Sequence, residues 1–123
     1  MREMRSLGFT EREVITAVVD LTRKLRQPLP SGQIIGIELK PNPVRAELTV
    51  EDDFGARKVV HRSSAELAAS LINYCLERRI RLPSSGRKFV ELIAGSLNLV
   101  IYMEDAAGQS KSRRTVRPAS ARA

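Results

Sequence analysis

The chain has 123 residues, 42% of them hydrophobic and 28% charged, the size and balance of one folded domain with its own core. One cysteine excludes a disulfide framework and a cysteine-rich zinc site, and no apolar run reaches the 18 residues of a membrane-spanning helix, so no membrane insertion is expected. The net charge of +7 is uneven: the segment after Asp105 holds Lys111, Arg113, Arg114, Arg117 and Arg122 without one acid, which leaves only +2 on residues 1–105.

Met1-Arg2-Glu3-Met4-Arg5 has no apolar segment behind it to act as a signal peptide, so a cytoplasmic setting is expected. Residues 1–8 read as a flexible leader. At Thr10 a helix starts: Glu13 follows three residues on, a capping box, and Phe9 and Val14 flank the cap as a hydrophobic staple. Val14, Val18, Leu21 and Leu25 continue at helical spacing, and Pro28 and Pro30 stop the run. The period then changes to two. Ile35, Ile37 and Leu39 alternate with polar or small residues; after the turn at Pro41-Asn42-Pro43, Val44, Ala46, Leu48 and Val50 do the same. Glu51-Asp52-Asp53 reads as a solvated hairpin tip, and residues 57–61 as a short third strand. A second capping box, Ser63 with Glu66, opens a second helix with apolar rows Leu67, Leu71, Tyr74 and Ala68, Ile72, Cys75. Two more strands, 88–93 and 97–103, are joined at Ala94-Gly95-Ser96. The last is apolar on nearly both faces, which marks an interior strand or one covered by a partner.

The expected fold is therefore α+β, in the order α-β-β-β-α-β-β, with two helices on one face of a mostly antiparallel five-stranded sheet. Residues 9–105 form the single domain and residues 106–123 a flexible basic tail. An internal αββ duplication at an offset of 53 is suggested. Adding 53 carries Thr10 to Ser63, Glu13 to Glu66, Arg26 to Arg79, Leu29-Pro30-Ser31 to Leu82-Pro83-Ser84 and Ile37-Glu38-Leu39 to Val90-Glu91-Leu92. On this reading the two hairpins join in one sheet and the third strand is an addition to the first half.

Chemistry is sparse. His61, the only histidine, lies between a strand end and a helix cap and no nucleophile motif accompanies it, so it reads as structural or surface histidine. Cys75 sits in an apolar helix row and reads as a buried thiol. No phosphate loop or calcium-loop spacing is present, and no cofactor or metal is expected. The chain is read as non-enzymatic: an adaptor, chaperone-like or regulatory subunit that forms a homodimer, with Asn98, Val100 and Tyr102 as the dimer contacts. The alternative is a nucleic-acid-binding regulator, with phosphate contacts from Arg23, Lys24, Arg26, Arg78, Arg79, Arg81, Arg87 and Lys88 and from the tail residues Lys111, Arg113, Arg114 and Arg117. Aromatic residues are few for a base-stacking platform. The element order resembles that of small dimeric secretion chaperones, which tend to be acidic where this chain is basic.

Overall fold

The structure, a computed structural model, describes residues 2–104. In chain order these form β1 (Arg2–Phe9), α1 (Glu11–Lys24), β2 (Gln33–Lys40), β3 (Arg45–Glu51), β4 (Arg57–Arg62), α2 (Ser64–Glu77), β5 (Arg87–Ile93) and β6 (Ser96–Glu104). The tail residues beyond them, Lys111, Arg113, Arg114 and Arg117 included, lie outside the described residues.

Both helices start where the capping boxes place them. The Thr10 hydroxyl accepts from the Glu13 amide and the Glu13 carboxylate accepts from the Thr10 amide; Ser63 and Glu66 repeat the exchange. Each box satisfies amides that a helix start otherwise leaves without a partner. The helix ends also correspond. Gln27 N–H donates to the Thr22 carbonyl and Ile80 N–H to the Cys75 carbonyl, closing the last turn around Arg26 and Arg79, both with positive φ. Glycine is the usual residue at such a left-handed helix stop; here two arginines hold the two equivalent places.

The strands do not form one five-stranded sheet. There are six, in two antiparallel sheets of three, ordered β1-β6-β5 and β2-β3-β4. The expected leader is strand β1, paired with β6 along its whole length from Arg2↔Glu104 to Phe9↔Leu97. The third strand is likewise no addition to the first half. β4 corresponds to β1, so the chain is two βαββ units. Each unit's first strand pairs not with its own hairpin but with the last strand of the other unit: β1 with β6, and β4 with β3.

The two units correspond in register as well as in order. An offset of 53 carries β1 to β4, α1 to α2 and the centre of β2 to the centre of β5; for β3 and β6 it becomes 51, because the second hairpin turn is two residues shorter. Thus Phe9↔Leu97 repeats Arg62↔Ala46, and Phe89↔Val100 repeats Gly36↔Thr49. The buried residues Ala46, Leu48 and Val50 of β3 become Leu97, Leu99 and Ile101 of β6. Gly32 and Gly86, both at positive φ, pass so close to the carbonyls of Glu51 and Tyr102 that a Cβ at either would collide with its neighbour. Glu51 and Tyr102 are themselves equivalent.

One core joins the layers. Val14, Ala17 and Val18 of α1 and Leu67, Leu71 and Cys75 of α2 meet Ala46 and Leu48 from one sheet and Phe9, Val90, Leu97 and Leu99 from the other. The Phe9 ring stands edge-on to Tyr74, centroids 5.8 Å apart. Alternation along β3 and β6 puts one face of each sheet on this core and leaves the other facing outward.

Candidate interaction surface

The register correspondence between the two units makes the two outward faces directly comparable, position by position. On the β2-β3-β4 sheet the cross-strand rows are Gly36–Thr49–Val59, Glu38–Glu47–His61 and, at one end, Glu51–Arg57. This face is charged and internally paired. Lys40 Nζ lies 3.2 Å from Glu47, His61 Nδ1 3.7 Å from the same carboxylate, and Arg57 Nε 3.1 Å from Glu51. Such a face is at home in water.

The equivalent rows on the β1-β6-β5 sheet are Ser6–Val100–Phe89, Gly8–Asn98–Glu91 and Met4–Tyr102–Arg87, with Ile93 beyond. Thr49 is replaced by Val100, Glu51 by Tyr102, Gly36 by Phe89, Lys40 by Ile93 and Arg57 by Met4. Met4 is 64% exposed and Ile93 44%. One position runs the other way, exposed Val59 being replaced by Ser6, and an Arg2–Glu104 contact of 3.9 Å closes the end of the second face; across its middle that face is the richer in apolar and aromatic side chains.

Asn98, Val100 and Tyr102, the dimer contacts expected from the sequence, all lie on this second face, while Leu97, Leu99 and Ile101 point into the core. Val100, between Ser6 and Phe89 on the central strand, is only 1% exposed. It is the floor of the face; Met4 and Ile93 are exposed on it and Phe89 and Tyr102 half-buried. Asn98 is tied down, accepting from the Ser6 hydroxyl at 3.4 Å and donating to the Ser96 carbonyl at 3.1 Å. Tyr102 donates to Glu104 at 3.3 Å. The contribution of β1 to this face was missed in the sequence, since Met4, Ser6 and Gly8 show no strand alternation.

The cations offered for nucleic acid do not all face outward together. Lys24 Nζ donates to the Asn73 side-chain oxygen Oδ1 at 2.9 Å, and Arg78 lies 3.6 Å from Asp20 with its guanidinium 3.7 Å from the centre of the Tyr74 ring. Asp20 and Asn73 are equivalent positions, so the helices are laced by two reciprocal polar contacts. Arg23 borders a cleft of about 500 Å3 between α1 and β2, beside Ile15, Val19 and Ile34. Arg26, Arg79 and Arg81 are exposed, Lys88 is half-buried, and Arg87 lies on the apolar sheet face, 5.6 Å from the Phe89 ring centre.

Cys75 is buried, and burial pushes its thiol above the ordinary range, with nearby Arg78 opposing the shift. Among the described residues no group of three or more His, Cys, Asp or Glu side chains could hold a metal ion, and no helix is long and apolar enough to cross a membrane. Compared with known proteins, the chain matches no family model, no curated protein and no solved structure.

Proposed function

We propose that the protein is a non-enzymatic interaction module, an adaptor or regulatory subunit, whose working surface is the outer face of the β1-β6-β5 sheet. The observation that carries this reading is the contrast between equivalent faces. Sheet geometry does not require Phe89, Tyr102, Ile93 and Met4 to be apolar, because Gly36, Glu51, Lys40 and Arg57 occupy the same places on the other sheet. A grouped apolar surface on a small protein marks a contact site. A homodimer is the simplest assembly that covers it, and a cytoplasmic setting accords with the single cysteine and its buried thiol.

The test is a photo-crosslinking residue, p-benzoylphenylalanine, placed at Ile93 in one protein and at the equivalent Lys40 in another, in cells that produce the chain. Protein adducts, whether to a second copy or to another chain, are expected from position 93 and not from position 40. Equal yields from both positions, or none from position 93, would refute the reading.

A further inference from the structure

The outer face of the β1-β6-β5 sheet is complementary to itself, and this chooses its partner. Resting on the reading of that face as a contact surface, we propose that it is occupied by a second copy of the chain, stacked sheet on sheet about a twofold axis that runs across the strands. The axis lies over the central row, Ser6–Val100–Phe89. It sets each strand antiparallel over the same strand of the other copy.

The two flanking rows then exchange places. Met4–Tyr102–Arg87 of one copy lies over Gly8–Asn98–Glu91 of the other. On β1 the long Met4 side chain falls on Gly8, which has none. On β6 the Tyr102 phenol falls on the Asn98 amide. On β5 the Arg87 guanidinium falls on the Glu91 carboxylate. Stacked sheets sit about 10 Å apart, which favours a large side chain over a small one. In the two flanking rows every column meets that condition or pairs opposite polarity; on the axis itself Ser6, Val100 and Phe89 each meet their own copy, the Phe89 rings stacking at the edge strand. Each flanking contact occurs twice, once on either side of the axis.

The charges separate this arrangement from the other twofold stacking. An axis running along the strands would lay β5 over β1, setting Arg87 over Met4 and Glu91 over Gly8. Both charges would then be desolvated without a counter-ion, which is costly. Within the chain, among the described residues, neither Arg87 nor Glu91 makes an ion pair. Arg87, first considered as a phosphate contact, becomes a determinant of pairing. The pseudo-equivalent face cannot stack in the same way: its carboxylates Glu47 and Glu51 are already engaged by Lys40, His61 and Arg57.

Sedimentation equilibrium on the full chain tests the proposal through a charge swap. The unmodified protein is expected to be dimeric at low micromolar concentration. Arg87→Glu and Glu91→Arg, each placing like charges opposite one another twice, are expected to weaken the dimer at least about tenfold. The double variant R87E/E91R is expected to return to within about threefold of the original. Circular dichroism confirms that each variant is folded, since both residues are exposed. A dimer that ignores the single changes, or a double variant as weak as the singles, would overturn this stacking. A protein monomeric at tens of micromolar would overturn the second copy as occupant; adducts from position 93 to another chain would then still support the contact face, and no adducts would remove both.

Discussion

Phe9→Ala asks whether the first strand is part of the folded unit. Phe9 is 7% exposed, pairs with Leu97 in the β1–β6 ladder and stands edge-on to Tyr74 of α2. It therefore ties β1 to both its sheet and the helix layer. Truncating a buried phenylalanine typically costs about 3–5 kcal/mol. Of that, roughly 0.5–1.5 kcal/mol belongs to the aromatic pair beyond its buried area. A domain of this size is stable by about 5–15 kcal/mol, so the loss is a large fraction of the total. With a urea slope of about 2 kcal/mol/M, the unfolding midpoint falls by roughly 2 M. Glu3→Ala is the control: the same strand, but an exposed side chain on the face turned away from the proposed contact. It should change stability by no more than about 0.5 kcal/mol. Equilibrium urea unfolding followed by circular dichroism reads both. A cost below about 1 kcal/mol for Phe9→Ala, or equal costs for the two variants, would show that β1 is not docked as described.

Thr10→Ala and Ser63→Ala should each destabilise the protein by about 1 kcal/mol in the same assay, because each leaves an amide of the first helical turn without its acceptor; the two costs should match, since the caps are equivalent, and a neutral result at either would mean that its helix starts elsewhere. Cys75 should resist thiol reagents in the native protein and label rapidly in denaturant, as a buried thiol with a raised pKa stays neutral. The sign follows: thiolate forms first in the unfolded chain, so the stabilising contribution of Cys75 is intact below the ordinary thiol pKa and is lost as pH rises through the higher folded value. Urea midpoints that hold steady or climb over that range while native labelling is fast would contradict its burial.

Local signals were legible because they are short in reach. Each capping box spans four residues, so Thr10-to-Glu13 and Ser63-to-Glu66 placed both helix starts. The clean alternation of β3 identified its buried face, and the two-sided character of β6 separated Leu97, Leu99 and Ile101 from Asn98, Val100 and Tyr102. Pairing between distant segments left no such trace. β1 offers its inner face only Leu7 and Phe9, with Glu3 and Arg5 on the same side, so its pattern resembles a loose leader. Its partner β6 supplies the missing apolar surface from the far end of the chain. The offset of 53 was visible, but no local pattern says that each first strand crosses to the other unit's hairpin. That exchange turns one expected sheet into two. The candidate face was half legible for the same reason: β6 announced itself, while Met4, Ser6 and Gly8 became part of it only through pairing.

The β1–β6 ladder also sets a timetable. Its register joins Arg2 to Glu104, so almost the whole chain must exist before the first strand has a partner. At a synthesis rate of about 5–20 residues per second, β1 waits on the order of 5–20 s after it is made. The sheet β2-β3-β4 has no such delay, because its three strands are consecutive and can form while β5 and β6 are still to come. The order of synthesis thus makes all three strands of one sheet available while β1 still lacks its partner. An Arg- and Glu-bearing segment such as Arg2–Phe9, with little apolar surface, is suited to that wait: it stays solvated on its own and is less prone to pair with the wrong edge. The weak strand pattern that hid β1 in the sequence is thereby an advantage during synthesis.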